Sequence, residues 1–347
     1  MNRLLFLVIV ILAQDAAANG EPSAQMPNRQ TLTFLFENDL FGDTDAQYTN
    51  GLKINWLSPD LKALARDGAI PDFLLGWVQH LNAFESALSG DPGRRFNLGL
   101  ALGQMMFTPD DTQSTALVRD DRPYAGWLYG AVSFVSKSAT VADTLEIQLG
   151  VIGPASLAED AQRLVHDIRD LPRPRGWHHQ LDNEPGLLIY YERKWRLWRK
   201  QFWGVIDHDA IAHAGLALGN VADYLALGAE ARLGWNLPAD FGSSLIRPGG
   251  DATTPGMLSG QSGSDVAIYV FSAMGARAIG RDIFLDGNTF SSSHDVDKEP
   301  LVGELVVGAS VQWRTARLSY AKVLRSREFE GQDRQHSFGS VSLSIAF

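Results

Sequence analysis

Acid, amide and hydroxyl groups cluster between two apolar segments near the start of this chain. The cluster comprises Glu37, Asn38, Asp39, Tyr48, Thr49 and Asn50. Carboxylate and amide oxygens are hard ligands that suit calcium. Further along, Gln162 and His166 lie four residues apart, and a neutral imidazole beside such a cluster can act as a general base toward water. These residue types together could support metal-assisted activation of water.

Each of these residues also has a structural interpretation. An Asn-Asp pair such as Asn38 and Asp39 commonly initiates a turn, and Thr49 is ordinary at the start of a strand. A single histidine such as His166 is often packed or solvated. The hydrolase signatures G-x-S-x-G and H-E-x-x-H do not occur. Spacing alone therefore leaves both interpretations open.

The apolar segments around the cluster alternate with small or polar residues, as β-strands do because successive side chains point to opposite faces. Phe96, Leu98 and Leu100, for example, alternate with Asn97 and Gly99. Soluble sandwiches also alternate, but Leu and Trp on one face with Gly, Ser and Asn on the other suit lipid contact outside and a lumen inside. About twelve such segments occur, an even number as in bacterial outer-membrane barrels. They lie near 31–39, 49–58, 95–107, 124–137, 143–153, 184–198, 202–219, 222–236, 265–279, 304–314, 315–326 and 336–347.

The sequence thus predicts an all-β fold, a transmembrane antiparallel β-barrel of about twelve strands with short helices in loops. The last segment supports this prediction, because its apolar face ends in the terminal Phe347 and resembles the C-terminal assembly signal of outer-membrane barrels. That face consists of Gly339, Val341, Leu343, Ile345 and Phe347.

The first residues have the layout of a secretory signal peptide. Residues 1–18 contain a basic start at Arg3, an apolar run and small residues before the expected cleavage site. Residues 19–347 then form the predicted barrel domain. The formal charge of -10 provides no basic field for nucleic acid, and the absence of cysteine excludes disulfides and thiolate chemistry.

With the N-terminus in the periplasm, the first hairpin turn and residues 108–123, 154–183, 280–303 and 327–335 are predicted to be extracellular. The segment Arg193–Trp203 is predicted to form a periplasmic turn with an aromatic girdle. Amphipathic helices are predicted within 60–94 and within 154–183. The helix within 154–183 is predicted from apolar residues at helical spacing, and Pro172 and Pro174 are expected to end it. The apolar residues are Leu157, Ala161, Leu164, Val165 and Ile168.

Four segments carry a resemblance to a known family. They are ENDLFGDTDAQYTNGL, DDRPYAGWLYG, GVIGPASLAEDAQRLVH and GWHHQLDNEPG. In this order they resemble the outer-membrane lipid A 3'-O-deacylase family, and the match covers essentially the whole mature chain. The resemblance implies a twelve-stranded barrel that removes the 3'-linked acyloxyacyl group of lipid A. It also implies Ca²⁺ as cofactor and a histidine-dependent mechanism likened to that of phospholipase A2.

Carried over by position, the resemblance implies catalytic roles for His166, Asn38, Asp39 and Thr49. It implies that Asn38 and Asp39 hold the metal, and that Gln162 contacts the substrate. A lysine expected after the third strand has no match in TPDDTQSTALVRDDRP. Arg119 or Arg122 could bind a lipid A phosphate in its place, although Arg122 could equally serve as a structural residue at a strand start.

The expected protein is therefore a monomer in the outer membrane that acts on lipid A or lipopolysaccharide from the cell exterior. The alternatives are a calcium-dependent phospholipase and a non-catalytic barrel such as a small porin or an assembly factor. The inward groups fit either a pore or a salt-bridged interior, and we favour the second. These groups are Lys53, Glu146, Glu230 and Arg232. His178 and His179 are predicted to point apart on an extended chain, which argues against a paired metal site.

Overall fold

The structure is a computed structural model that describes residues 29–39, 47–59, 94–243 and 265–347. The predicted signal peptide and the predicted helix within 60–94 lie outside the described residues. Among the residues described, no helix is long and apolar enough to cross a membrane.

Twelve antiparallel strands in the described ranges form a closed barrel in which each strand pairs with its neighbours in sequence and β1 pairs with β12. The strands are β1 Thr31–Asn38, β2 Gln47–Leu57, β3 Arg95–Thr108, β4 Ala125–Lys137, β5 Val141–Ile152, β6 Glu184–Phe202, β7 Ile206–Gly219, β8 Ala222–Trp235, β9 Val266–Asp282, β10 Leu301–Trp313, β11 Ala316–Arg325 and β12 His336–Ala346. Helix α1 spans Ala158–Arg169 between β5 and β6, and the single turn α2 spans Ile283–Asp286 after β9. Short 3-10 helices at Pro154–Ser156 and Trp177–His179 flank α1. The predicted fold and strand number are confirmed.

The two faces of the wall differ as the alternation predicts. Leu102 on β3 and Leu149 on β5 point outward and are 57% and 61% exposed, which suits contact with lipid chains. Inward residues are buried and polar or aromatic. Lys53 lies 3.3 Å from Glu146 across the lumen, and the Arg232 guanidinium donates to Asp209 at 2.8 Å. The lumen therefore contains paired charges, as the sequence predicts.

The barrel closes where the two ends of the chain meet. The backbone N–H of Phe347 donates to the Gln30 carbonyl at 3.0 Å, and the N–H of Gln30 donates back to Phe347 at 3.2 Å. Leu343 and Phe347 point outward and are 39% and 60% exposed. The terminal aromatic residue therefore lies on the lipid face of the last strand, as predicted.

The periplasmic turn predicted within Arg193–Trp203 is misplaced. Strand β6 continues through this segment to Phe202, with a bulge between Arg196 and Trp198. The turn itself spans only 203–205, with Trp203 and Gly204 in the left-handed region. The strand continues through the charged residues because their charges are paired, as in the Arg196 to Asp209 ion pair at 2.7 Å. Likewise, β9 and β10 extend further than predicted and shorten the loop between them to 283–300.

Candidate active site

The polar cluster at the end of the first hairpin is divided between the two sides of the barrel wall. Glu37 points into the lumen, where its carboxylate accepts a hydrogen bond from the Tyr48 hydroxyl at 3.0 Å. Asn38 follows on the opposite face of β1, which carries the exposed Phe34. The polar residues that lie close together in the sequence therefore do not form one site. Asn38 belongs to the outer surface of the barrel.

A β-bulge at the start of β2 connects Thr49 to this outer group. The register of β2 against β3 shifts between Tyr48 and Asn50, which leaves Thr49 as the extra residue. Its hydroxyl lies 2.7 Å from the hydroxyl of Thr108, and its carbonyl accepts a hydrogen bond from Asn38 Nδ2 at 3.0 Å. These contacts join the ends of β1, β2 and β3.

Helix α1 packs against the outside of the same rim. Ala158 at its first turn forms a buried cluster with Met106 of β3, Tyr124 and Trp177. Gly126 of β4 permits this approach, because a Cβ atom there would lie 2.2 Å from Ser156 Oγ and 2.3 Å from Ala158 Cβ. Glycine is therefore required where the helix meets the wall.

The strand register places this contact beside the hairpin cluster. Asn38 pairs with Asn50, Asn50 pairs with Met106, and Met106 pairs with Gly126. Since neighbouring strands are about 4.8 Å apart, the part of the wall beneath α1 begins about 10 Å from Asn38. The histidine helix and the hairpin cluster thus lie at the same mouth and in the same sector of the barrel. We call the region on the outside of the wall between α1 and the rim of β1–β4 the cleft.

The orientation of α1 is the reverse of a helix packed through its apolar face. Gln162 and His166 are buried at 3% and 2% exposure, whereas Leu164 and Ile168 are 61% and 75% exposed. The helix predicted from its apolar residues is confirmed, but of those residues Ala161 packs toward the barrel, whereas Leu164 and Ile168 point away from it. The exposed face of α1 therefore carries large apolar side chains, and the buried face carries Gln162 and His166.

The imidazole of His166 is fixed by the backbone that follows the helix. Its Nδ1 lies 2.7 Å from the carbonyl oxygen of Pro172. Because a carbonyl oxygen only accepts, Nδ1 carries the proton, and Nε2 of the neutral ring has the basic lone pair. The sequence predicts a histidine base here but not the carbonyl that sets its tautomer.

The turn after α1 is itself held in place. The N–H of Leu171 donates to the His166 carbonyl at 2.9 Å, and Asp170 caps the helix in the left-handed conformation with φ 58°. Arg173 donates two 2.6 Å hydrogen bonds to Asp167, and its guanidinium holds the pKa of that carboxyl below the usual value. The helix ends before Pro172, as predicted.

Gln162 is the second buried polar group of the helix. It lies one turn before His166, so the two side chains stack on the same face. Its Oε1 accepts a hydrogen bond from Trp177 Nε1 at 2.7 Å. Its Nε2 has no hydrogen-bond partner among the described residues. The amide therefore has a donor available for a ligand.

Arg122, which the resemblance allowed as a phosphate ligand, lies on the lumen side. It is 1% exposed, its guanidinium is 3.1 Å from Glu328, and it lies over the rings of Phe107 and Phe329. This placement favours the structural alternative for Arg122. Arg119, in the same loop, is exposed.

The two adjacent histidines do not point apart as predicted. They lie in the 3-10 turn Trp177–His179, and the rings of His178 and His179 are 4.0 Å apart. In the described ranges, no cluster of three or more His, Asp or Glu side chains could hold a metal ion. Asn38 and Asp39 are buried and supply an amide and a carboxylate oxygen, a donor type that fits calcium.

The whole chain, from residue 4 to residue 347, matches the family model described as outer membrane protein LpxR. The chain belongs to the LpxR family. Together with the closed barrel, this membership identifies the protein as an outer-membrane protein. No curated protein matches the chain.

One solved structure supports this LpxR-family fold. LpxR from Salmonella typhimurium has a TM-score of 0.70 and 18% sequence identity, covering 91% of this chain and 100% of its own. The beta domain of the Bordetella autotransporter BrkA is much less similar, with a TM-score of 0.44 and 9% identity over 92% of this chain and 100% of its own. The first comparison supports the fold of the whole barrel.

Three features of the candidate site were not found from the sequence. Trp177 lies in a segment that carried the family resemblance, but its bond to Gln162 depends on the 3-10 turn. The Pro172 carbonyl is a backbone atom, which no side-chain pattern reveals. Thr108 could have been found from register, because it ends β3 opposite the start of β2.

Proposed function

We propose that this outer-membrane barrel hydrolyses the 3'-linked acyloxyacyl ester of lipid A in the outer leaflet. LpxR-family membership supports lipid A deacylation in general. The single observation that supports the histidine mechanism is the placement of His166 and Gln162 between α1 and the outside of the wall, with His166 Nε2 as the basic nitrogen. A base in the lumen could not reach a membrane lipid without opening the barrel.

The cleft suits a substrate that stays in the membrane. Leu157, which caps α1, and Leu164 and Ile168 on α1 are more than half exposed. An amphipathic helix of this kind inserts its apolar face among acyl chains. The acyl chain of the substrate can then remain in lipid while its ester enters the polar cleft from the side.

In the proposed reaction, His166 Nε2 removes a proton from water as the water oxygen attacks the ester carbonyl carbon. The carbonyl π-electron pair moves to its oxygen. Collapse of this tetrahedral species breaks the bond to the sugar 3'-oxygen, which takes the proton from the imidazolium. The products are a free carboxylic acid and a 3'-hydroxyl, and the Pro172 carbonyl stabilises the charged ring through Nδ1.

Asn38 and Asp39 are the residues that would hold calcium. When bound, calcium supplies positive charge that an acidic protein lacks, and this charge polarises the ester carbonyl. Thr49 acts on this pair through its carbonyl, which accepts from Asn38 Nδ2. The exposed Arg119 is the proposed contact for a lipid A phosphate, because Arg122 is already paired with Glu328.

Mass spectrometry of lipid A from cells that express the protein tests this function. We expect loss of the mass of the 3' acyloxyacyl group, and we expect a chelator to prevent that loss. Unchanged lipid A with released lysophospholipid would indicate a phospholipase instead. Unchanged lipids together with conductance in planar bilayers would indicate a pore.

A further inference from the structure

The indole of Trp177 and the amide of Gln162 form a buried pair beside the proposed base. The Trp177 side chain is 1% exposed and that of Gln162 is 3% exposed. An indole N–H only donates, so the atom 2.7 Å from Trp177 Nε1 is the amide oxygen of Gln162. The indole therefore fixes which end of the amide is the donor.

The other end of the amide is the unusual feature. Buried side-chain amides in proteins nearly always satisfy their donors, yet Gln162 Nε2 has no partner among the residues that the structure describes. The same side chain is one helical turn from His166, on the face that closes against β3 and β4. A donor kept unpaired beside a base is placed to bind a group that arrives with the substrate.

Trp177 is held rigidly enough to impose this orientation. Its ring lies 4.9 Å from that of Tyr124, and the N–H of Leu181 donates to the Tyr124 carbonyl at 2.9 Å. A Cβ atom at Gly176 would lie 2.5 Å from the Tyr124 ring. The 3-10 turn that carries Trp177 is thus fitted closely against the start of β4.

We infer that Trp177 is a positioning residue that orients the Gln162 amide, so that Nε2 donates a hydrogen bond to the carbonyl oxygen of the scissile lipid A ester. This inference rests on the proposed function. As the carbonyl π-electron pair moves to oxygen during water attack, the Gln162 N–H stabilises the negative charge without transferring its proton. Gln162 contacts the substrate, whereas Trp177 acts through Gln162.

A double-mutant cycle tests the inference in purified full-length protein with lipid A and calcium. We expect Gln162→Leu to lower kcat by roughly 10² to 10³, the usual loss for one oxyanion donor. Trp177→Phe, which keeps an aromatic ring against Tyr124 but removes the N–H, should lower kcat roughly 10-fold with little change in KM. In the Gln162→Leu background, Trp177→Phe should have no further effect.

Trp127→Phe is the matched control. Trp127 is also fully buried and stacks on a tyrosine ring at 4.3 Å, but its indole nitrogen has no partner in the described structure, and it points into the lumen. Its substitution should leave kcat unchanged. The inference would be overturned if the loss of kcat in the double variant equalled the product of the losses in Trp177→Phe and Gln162→Leu. An unchanged kcat in Trp177→Phe would also overturn it.

An NMR readout separates this inference from the proposed function. In calcium-depleted protein with ¹⁵N-labelled tryptophan, the indole resonance absent from Trp177→Phe should shift in Gln162→Leu and also when lipid A is added. No shift with lipid A would overturn the inference even if lipid A is hydrolysed. A shift in a protein that never releases an acyl chain would overturn the proposed function and retain Gln162 as a lipid A ligand.

Discussion

The inside and the outside of the barrel wall differ sharply at the same rim. Inside, charges are close-packed and paired: Arg325 lies 2.8 Å from Glu304, and Glu304 is also 3.2 Å from Arg277. Outside, the buried polar side chains of α1 are an amide and an imidazole, and Gln162 Nε2 has no partner in the described structure. The lumen side thus holds paired charges, whereas Gln162 on the outer side holds an amide donor that no described residue accepts.

This comparison shows that a buried polar residue at the rim of the barrel is not by itself evidence of an active site. Glu37 and Arg122 are as buried as His166, and all lie near the same mouth. They differ in the side of the wall they occupy, and Arg122 is held there in an ion pair with Glu328. We therefore expect substitutions in the cleft to change activity and substitutions in the lumen to change stability.

The largest expected effect in the cleft is that of His166→Ala. Loss of the proposed base should lower the rate of lipid A deacylation by roughly 10² to 10⁴, measured by acyl release from purified protein, while heat-modified mobility shows that the barrel is folded. His208→Ala at the opposite mouth, where the ring stacks on Phe202, is the control and should retain activity. Retained activity in His166→Ala would remove this histidine from the role of base.

Gly126→Val tests whether α1 must touch the wall. The added side chain would displace Ser156 and Ala158, and a shift of about 1 Å at a catalytic group can lower activity roughly 10²-fold. Gly130→Val is the matched control, since Gly130 is on the same face of β4 and a Cβ atom added there would lie 4.0 Å from its nearest neighbour, the Ala101 carbonyl oxygen. Equal deacylation rates for the two variants would contradict the proposed cleft.

Arg122→Met tests the lumen side. Breaking the buried pair with Glu328 should destabilise the barrel by about 3 kcal/mol, measured by urea unfolding in lipid vesicles, without changing the activity of the folded protein. Arg119→Met should instead raise KM for lipid A and leave stability unchanged. Lost activity in folded Arg122→Met would restore Arg122 as a substrate ligand.

Acid should weaken the buried ion pairs that Glu328 forms with Arg122 and Arg325. Burial alone raises the pKa of Glu328, but Arg325 and Arg122 outweigh it and lower this pKa from 4.5 to about 2. A lowered pKa stabilises the folded state above the unfolded pKa, so stability should decline as the pH falls from about 4.5 toward 2. Glu328→Gln should be less stable at neutral pH and less sensitive to acid. An equally steep acid dependence in this variant would assign the effect to other carboxylates.

The strands could be predicted from sequence because their signal is local. Leu100 and Leu102 alternate with small residues, and this pattern is visible within one strand. Every strand of the barrel has lipid on one side and a narrow lumen on the other, so the same pattern recurs in each strand. The end of β6 was missed because the sequence predicted a turn within Arg193–Trp203. The strand continues there with Arg196 paired to Asp209, a contact between strands that the residue pattern does not show.

The cleft could be predicted only in part. The positions of His166, Gln162 and Asn38 follow from strand parity, which places the α1 loop and the first hairpin at one mouth. Apolar spacing predicts helix α1 but not which face meets the barrel, because lipid and a protein core both attract leucine. The contacts of Trp177 and the Pro172 carbonyl depend on turn geometry, which the residue pattern does not determine.

Photo-crosslinking with lipid A that carries a photoreactive acyl chain tests the central claim most directly, namely that substrate binds outside the wall beneath α1. We predict that the crosslinked peptides come from α1 and from the outward residues of β3, such as Leu102. Crosslinks confined to lumen residues such as Lys53 and Tyr129, or to a sector of the barrel away from β1–β4, would contradict this account.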